Sequence, residues 1–320
     1  MLLKHRHGES QKRTRVPLVV AGSLPLSLPY RLQVVRLGWA RGWPQTVNGR
    51  INMGILRDNL PLRTFAVVTG YEDNGISAQV AAVQINNDDS LSLTFRKGHS
   101  FTNGQALTVH LDNRTGAESF DADIRVYRSS YKGQVSSTTA SEIQVAPVAY
   151  QLFYSTRMVG EFRLPGYTYP KETRAELLLE PSTLDKVRLP DSKEHENKLG
   201  VLVTRAPERP HTTVMAFLSS DVDDVFLVSH PESFKSHNLH RDGRCCFAID
   251  HRATYLFEKA IEWNFTILDA QALLVPRTSE IFSEIQAQFI EKNPWELVFF
   301  SDPAMEMYHL KPLRIQCSWK

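Results

Sequence analysis

Residues 229–250 read SHPESFKSHNLHRDGRCCFAID and bring three serines, a lysine and three histidines together just ahead of an apolar run. A serine with a lysine two residues on, as in Ser233 and Lys235, offers at a helix start a hydroxyl, free backbone N–H groups and an ammonium. Those are the donors that a phosphate takes. Taken alone, Lys235 is more simply a solvated helix lysine. His237 and His240 are spaced i, i+3 and could share a metal, but no third ligand stands at a suitable spacing, so no metal site is expected. Cys245 and Cys246 point to opposite faces of a strand, so at least one packs as a small core residue.

These side chains need elements to hold them. Ser233 to Leu239 suits about two helical turns, ended by Asp242-Gly243, after which RCCFAI resumes extended structure. Upstream, GVLVT, HTTVMAF and VFLVS alternate with turns, and Arg209-Pro210-His211 opens a strand where proline is tolerated. Downstream come IEWNFTILDAQALLV as a long strand, TSEIFSEIQAQFIEKN as an amphipathic helix and MEMYHLKPLRIQC as the closing strand. An earlier set of strands covers RTFAVVTGY, ISAQVAAVQI, SLSLTFRK, ALTVHL, FDADIRVYR and AYQLFYSTRM. The clusters EDNG, NNDDS, TNGQ and DNRTG separate them as tight turns.

The chain therefore divides into a basic, poorly patterned tail (1–57), an N-terminal β module (58–165), a linker (166–197) and a C-terminal module (198–320). The fold class is mainly β, with a small antiparallel barrel or sandwich first. One short helix is expected in the linker near Glu172 to Leu179. Up to Arg57 the only carboxylate is Glu9, and the apolar run from Val16 to Tyr30 is broken by Pro25 and Pro29. That run is too short for a membrane span. Such Arg-rich, acid-poor composition also arises when translation is read from too far upstream of Met53. Val68-Thr69 precedes Asp88-Asp89 by the interval at which Val203-Thr204 precedes Asp223-Asp224, and a shared hairpin length is the preferred account of that echo.

The 320 residues can bury two cores, and a net charge of +2 provides no field to steer the molecule onto nucleic acid or an anionic bilayer. Three cysteines make no disulfide framework, which points to a reducing, cytoplasmic setting.

The motifs from Lys198 to Cys317 carry a resemblance. Val203-Thr204, Arg209-Pro210-His211, the strand Val225 to Val228, Ser233-Phe234-Lys235 with Asn238-Leu239, Trp263 and Leu310-Lys311-Pro312 follow one another as in the pyridoxamine 5′-phosphate oxidase-like family, and the C-terminal half is similar to its FMN-binding split β-barrel. The resemblance implies a six-stranded antiparallel barrel with flanking helices, a homodimer, and FMN as cofactor. It makes Ser233 and Lys235 phosphate ligands with Ser229 nearby, and lays Thr212, Thr213, Val214 and Met215 along the isoalloxazine. His211 and His230 flank that pocket. The true oxidases hold the cofactor with an Arg and a Lys on this strand, where Thr212 and Phe217 stand here, which lowers the cofactor's affinity unless a partner subunit supplies replacement cations. Two functions follow. One is an FMN-dependent oxidoreductase acting on a small-molecule substrate or electron donor. The other is a non-catalytic flavin- or haem-binding sensor, with the N-terminal module relaying the signal.

Overall fold

A computed structural model describes residues 54–73, 75–113, 126–195, 197–250 and 265–317. Its first half holds seven strands: β1 (Arg63–Glu72), β2 (Gly75–Ile85), β3 (Leu91–Thr94), β4 (Ala106–Asp112), β5 (Tyr127–Thr138), β6 (Glu142–Tyr154) and β7 (Arg157–Arg163). They pair antiparallel in the order β3-β2-β1-β4-β5-β6-β7, and β3 also pairs with β6. That last pairing closes six strands into a barrel, so they present no free edges. Leu107, Val109 and Leu111 of β4 and Tyr131 and Val135 of β5 fill it.

The second half holds β8 (Leu199–Thr204), β9 (His211–Ala216), β10 (Leu218–Ser219), β11 (Val225–Ser229), β12 (Arg244–Asp250), β13 (Phe265–Val275) and β14 (Glu306–Cys317). Their order is β10-β11-β14-β13-β12-β8-β9. Only Phe217 separates β9 from β10, and there the ladder is broken, so the sheet curls into a split barrel. Helix α2 (Phe234–Arg241) follows β11, and Leu239 on it enters the barrel core. A longer helix, Glu280–Lys292, buries Phe282, Ile285 and Phe289.

The two barrels have one topology. Replacing β1 to β6 by β8, β9 with β10, β11, β12, β13 and β14 reproduces every pairing of the closed ring. Val68-Thr69 and Val203-Thr204 lie on corresponding strands, β1 and β8. The turns before β3 and β11 each bury an aspartate bonded to a side chain of the last barrel strand: Asp89 takes the Tyr150 hydroxyl, and Asp224 pairs with His309 Nε2 at 2.9 Å. The echo in the sequence is thus a repeated fold and not a coincidence of hairpin length.

The barrels also pack reciprocally. β2 lies against β12 and β13, while β9 lies against β4 and β5. An apolar layer of Phe65, Val67, Val80, Val201, Val203 and Ala248 joins them. β1 is consequently buried on both faces, with Ala66 and Val68 turned into its own barrel, which is why TFAVV reads as an unbroken apolar run. Polar clasps flank this layer. Tyr71 Oη donates to Ala206 O at 2.6 Å, Thr108 Oγ1 donates to Pro210 O, and Arg209 Nη1 donates to Gly133 O at 2.8 Å.

Three boundaries differ from the sequence expectations. A short helix, α1 (Ile55–Asn59), belongs to the first barrel and not to the tail, because Leu56 is fully buried in the core and Gly54 N bonds Asp89 Oδ2. The linker forms no helix at 172–179. It runs extended instead, with Leu177 N bonded to His240 O and Leu179 packed into the second core. The expected strand AYQLFYSTRM is the end of β6, a turn at Ser155 (φ 55°) and the start of β7. Trp263 and most of DNRTG lie outside the described residues. Among the described residues no helix is long and apolar enough to cross a membrane.

Candidate functional site

Strand alternation decides what each predicted residue can reach. On β9, Met215 turns into the core of the second barrel. Thr212 turns the other way and donates from Oγ1 to Ser130 Oγ on β5, at 3.0 Å. Val214 shares that parity and is buried, so β9 presents Thr212 and Val214 to the first barrel. His211 stands at the strand mouth, with Nε2 3.0 Å from Thr213 Oγ1 and its ring edge-on to Phe234 at 4.8 Å.

The serines form a separate group. Ser229, Ser233 and Ser236 make a ring of hydroxyls 2.9 to 3.0 Å apart, and Ser233 caps α2 by accepting from Ser236 N. Lys235 belongs to a different neighbourhood. Arg128, Glu296 and His211 lie close enough to act on its charge, and among the described residues it makes no hydrogen bond to the hydroxyl ring.

What surrounds Lys235 comes largely from the first barrel. On β5, Tyr131 and Val135 face that barrel's interior, so Arg128, Ser130 and Lys132 face outward, towards β9. On β4 the same alternation turns Thr108, His110 and Asp112 outward, with His110 Nε2 3.2 Å from Asp112 Oδ2. Lys132 and Lys235 therefore both approach His211, and Arg128 approaches Lys235, where β9 meets β5.

Their protonation reflects that crowding. Burial, with the nearby Arg128, pulls half-buried Lys235 down to about 8, against a weaker upward pull from Glu296. Lys132 is pulled down to about 8 by burial and by Arg209. His211 is held well below its ordinary 6.5 by burial, Lys132, Lys235 and His110, so it is a neutral imidazole at pH 7. Burial lifts Glu296 to about 7, which leaves its carboxyl only partly charged at neutral pH. Arg128 Nη1 is buried and has no hydrogen-bond partner among the described residues.

The histidines of α2 do not share a ligand. His237 bonds Glu176 at 2.8 Å, and His240 bonds Glu306 at 3.0 Å. Among the described residues no three His, Cys, Asp or Glu side chains gather as a metal site. Cys245 lies in the core of the second barrel and Cys246 in the layer between barrels. Burial raises both thiols, Cys245 to about 12.

Sequence reasoning missed Arg128, Ser130 and Lys132. Their i, i+2, i+4 spacing marks a polar strand face, but spacing cannot show that this face abuts another barrel.

No protein-family profile and no curated protein matches the chain. Solved structures do show similarity. The haem storage protein HutZ of Vibrio cholerae is 21% identical, over 39% of this chain and 90% of its own, with a TM-score of 0.34. A putative pyridoxamine 5′-phosphate oxidase of Listeria innocua is 19% identical over 38% of this chain and 87% of its own, at 0.29. The protein Atu2129 of Agrobacterium tumefaciens is 20% identical over 38% of this chain, at 0.33, and the chain spans only 52% of its length. The likeness is one of fold.

Proposed function

We propose that the cleft between β9, α2 and β5 holds FMN, and that the protein is a flavin-dependent oxidoreductase acting on a small molecule. The observation that carries this is that Lys132 of the first barrel and Lys235 of the second both approach His211, with Arg128 beside Lys235 and its Nη1 without a hydrogen-bond partner among the described residues. Each of these cations has a carboxylate near it, Asp112 by Arg128, Glu208 by Lys132 and Glu296 by Lys235, but burial outweighs that attraction, so a bound anion would offset the remaining cost. A phosphate monoester has the charge, and the resemblance of the second barrel to FMN-binding split barrels supplies the identity. The residues fit the group: Arg128 and Lys132 stand in for the two cations absent at Thr212 and Phe217.

Bound there, the flavin would supply hydride or electron transfer. Arg128, Lys132 and Lys235 would hold the phosphate. The hydroxyls of Ser229 and Ser233, satisfied by one another in the free protein, could open to the same phosphate at the N-terminus of α2. Thr213 and neutral His211 would offer uncharged hydrogen-bonding groups at the mouth, and Val214 an apolar wall.

Absorption of the purified protein, followed by fluorescence-quenching titrations with FMN and riboflavin, tests this. Wild type should prefer FMN, and Lys235→Ala should weaken FMN by ~1.5–3 kcal/mol, tenfold to a hundredfold, while riboflavin is unaffected. Bleaching of the flavin bands by NAD(P)H would support turnover. Equal affinity for FMN and riboflavin would overturn the phosphate grip, and a Soret band would favour the haem-binding sensor.

A further inference from the structure

The repeated topology implies a second place like the first. β9 lies on β5 beside α2, and its counterpart β2 lies on β13 beside the loop Phe95–Ser100, which takes the position of α2. A cavity of about 570 Å³ opens there, within the size range of small-molecule sites. None of the residues expected from sequence to hold FMN lines it.

Its walls have two characters. The floor is apolar and lies between sheets, from Ile76, Ala78 and Val80 on one side and Phe265 and Ile267 on the other. The rim is cationic, with Arg96, Lys97, Arg205, Arg244 and Arg314. Among the described residues two carboxylates pair with three of the four arginines, and a third holds a serine. Asp242 is shared by Arg205, at 3.2 Å, and Arg244, at 2.8 Å. Asp269 takes Arg314 at 2.6 Å and also the Cys246 thiol. Glu72 accepts from the Ser100 hydroxyl. Among the described residues the arginines of the rim are thus in excess, and guanidinium groups bind carboxylate, sulfonate or phosphate through paired N–H donors.

We propose that this cleft binds a planar aromatic anion, with the ring between β2 and β13 and the acidic group at the arginine rim. The site is separate from the one assigned to FMN and lacks its serine–lysine helix start, so it selects by guanidinium and aromatic contact. Arg205 already stacks on Tyr71 at 5.3 Å, which stiffens one side of the rim.

The probe is 8-anilinonaphthalene-1-sulfonate, titrated into the folded full chain by fluorescence. One saturable site is expected. Arg96 is exposed, so the charge reversal Arg96→Glu should leave the melting temperature unchanged and weaken the probe at least tenfold. Ile76→Trp, which fills the floor while leaving every rim charge, should also abolish binding. Lys235→Met should change nothing, so failure of the FMN cleft and failure of this one are distinguishable. The uncharged N-phenyl-1-naphthylamine should bind at least tenfold more weakly than the sulfonate. The proposal is overturned if both probes bind equally, if neither rim nor floor substitutions weaken the sulfonate, or if Lys235→Met removes it.

Discussion

Two lysines held near pH 8 make ligand binding at the inter-barrel cleft depend on pH in a calculable way. Lys132 and Lys235 both stand at about 8, against an ordinary 10.5, because they are buried beside other cations. A bound phosphate dianion supplies the missing opposite charge and returns each towards its ordinary value, so binding takes up protons above pH 7. A lysine moving from about 8 to about 10.5 on binding weakens the ligand about tenfold between pH 7 and pH 9, and two such lysines about a hundredfold. The phosphate adds no slope, since its second ionisation lies near about 6 and is complete by pH 7. FMN affinity, measured by fluorescence quenching at half-unit steps, should fall by about one hundredfold in wild type, about tenfold in Lys235→Met, and little in Lys132→Met/Lys235→Met. Riboflavin should show no such slope. A flat FMN profile in wild type, or an unchanged slope in the double variant, would refute the claim that the two lysines share one anion.

Arg128 sits far from Lys235 in sequence, yet Arg128→Met should weaken FMN by ~1.5–3 kcal/mol without affecting riboflavin, measured by the same titration. Leu56 is fully buried in the first barrel, so Leu56→Ala should cost about 2–4 kcal/mol in urea unfolding. A loss under about 0.5 would show that α1 is not part of the core. Burial pulls Lys292 down to about 7, so the folded chain binds fewer protons than the unfolded one between that pH and 10.5, and stability rises with pH across that window. Lys292→Met should remove about 2 kcal/mol of that rise between pH 7 and 9, read from urea midpoints. The barrels of one chain already cover each other's β faces, so light scattering at micromolar concentration should return the mass of one chain. A stable dimer would show that the homodimer expected from the resemblance forms through another surface.

The sequence by itself determined the local matters. Alternation and turn residues placed most strands, because side chains on a strand change face at every residue and Asn, Asp and Gly tolerate tight turns. The serine at the start of α2 and the Asp242-Gly243 stop were legible for the same reason, since caps act within one turn. The resemblance located Lys235, Ser233 and β9. Only the tertiary structure decided that the N-terminal module repeats the topology of the C-terminal one, because strand order rests on pairings between distant residues such as Leu91 with Val145 and Val225 with Leu310. Pairing distance also hid the cleft. Arg128, Ser130 and Lys132 look like an ordinary solvated strand face until β9 is laid across them. The depressed basicity of Arg128 and Lys132, the orphan guanidinium nitrogen and the second cavity beside β2 all arise from one barrel burying part of the other, which no window of sequence contains.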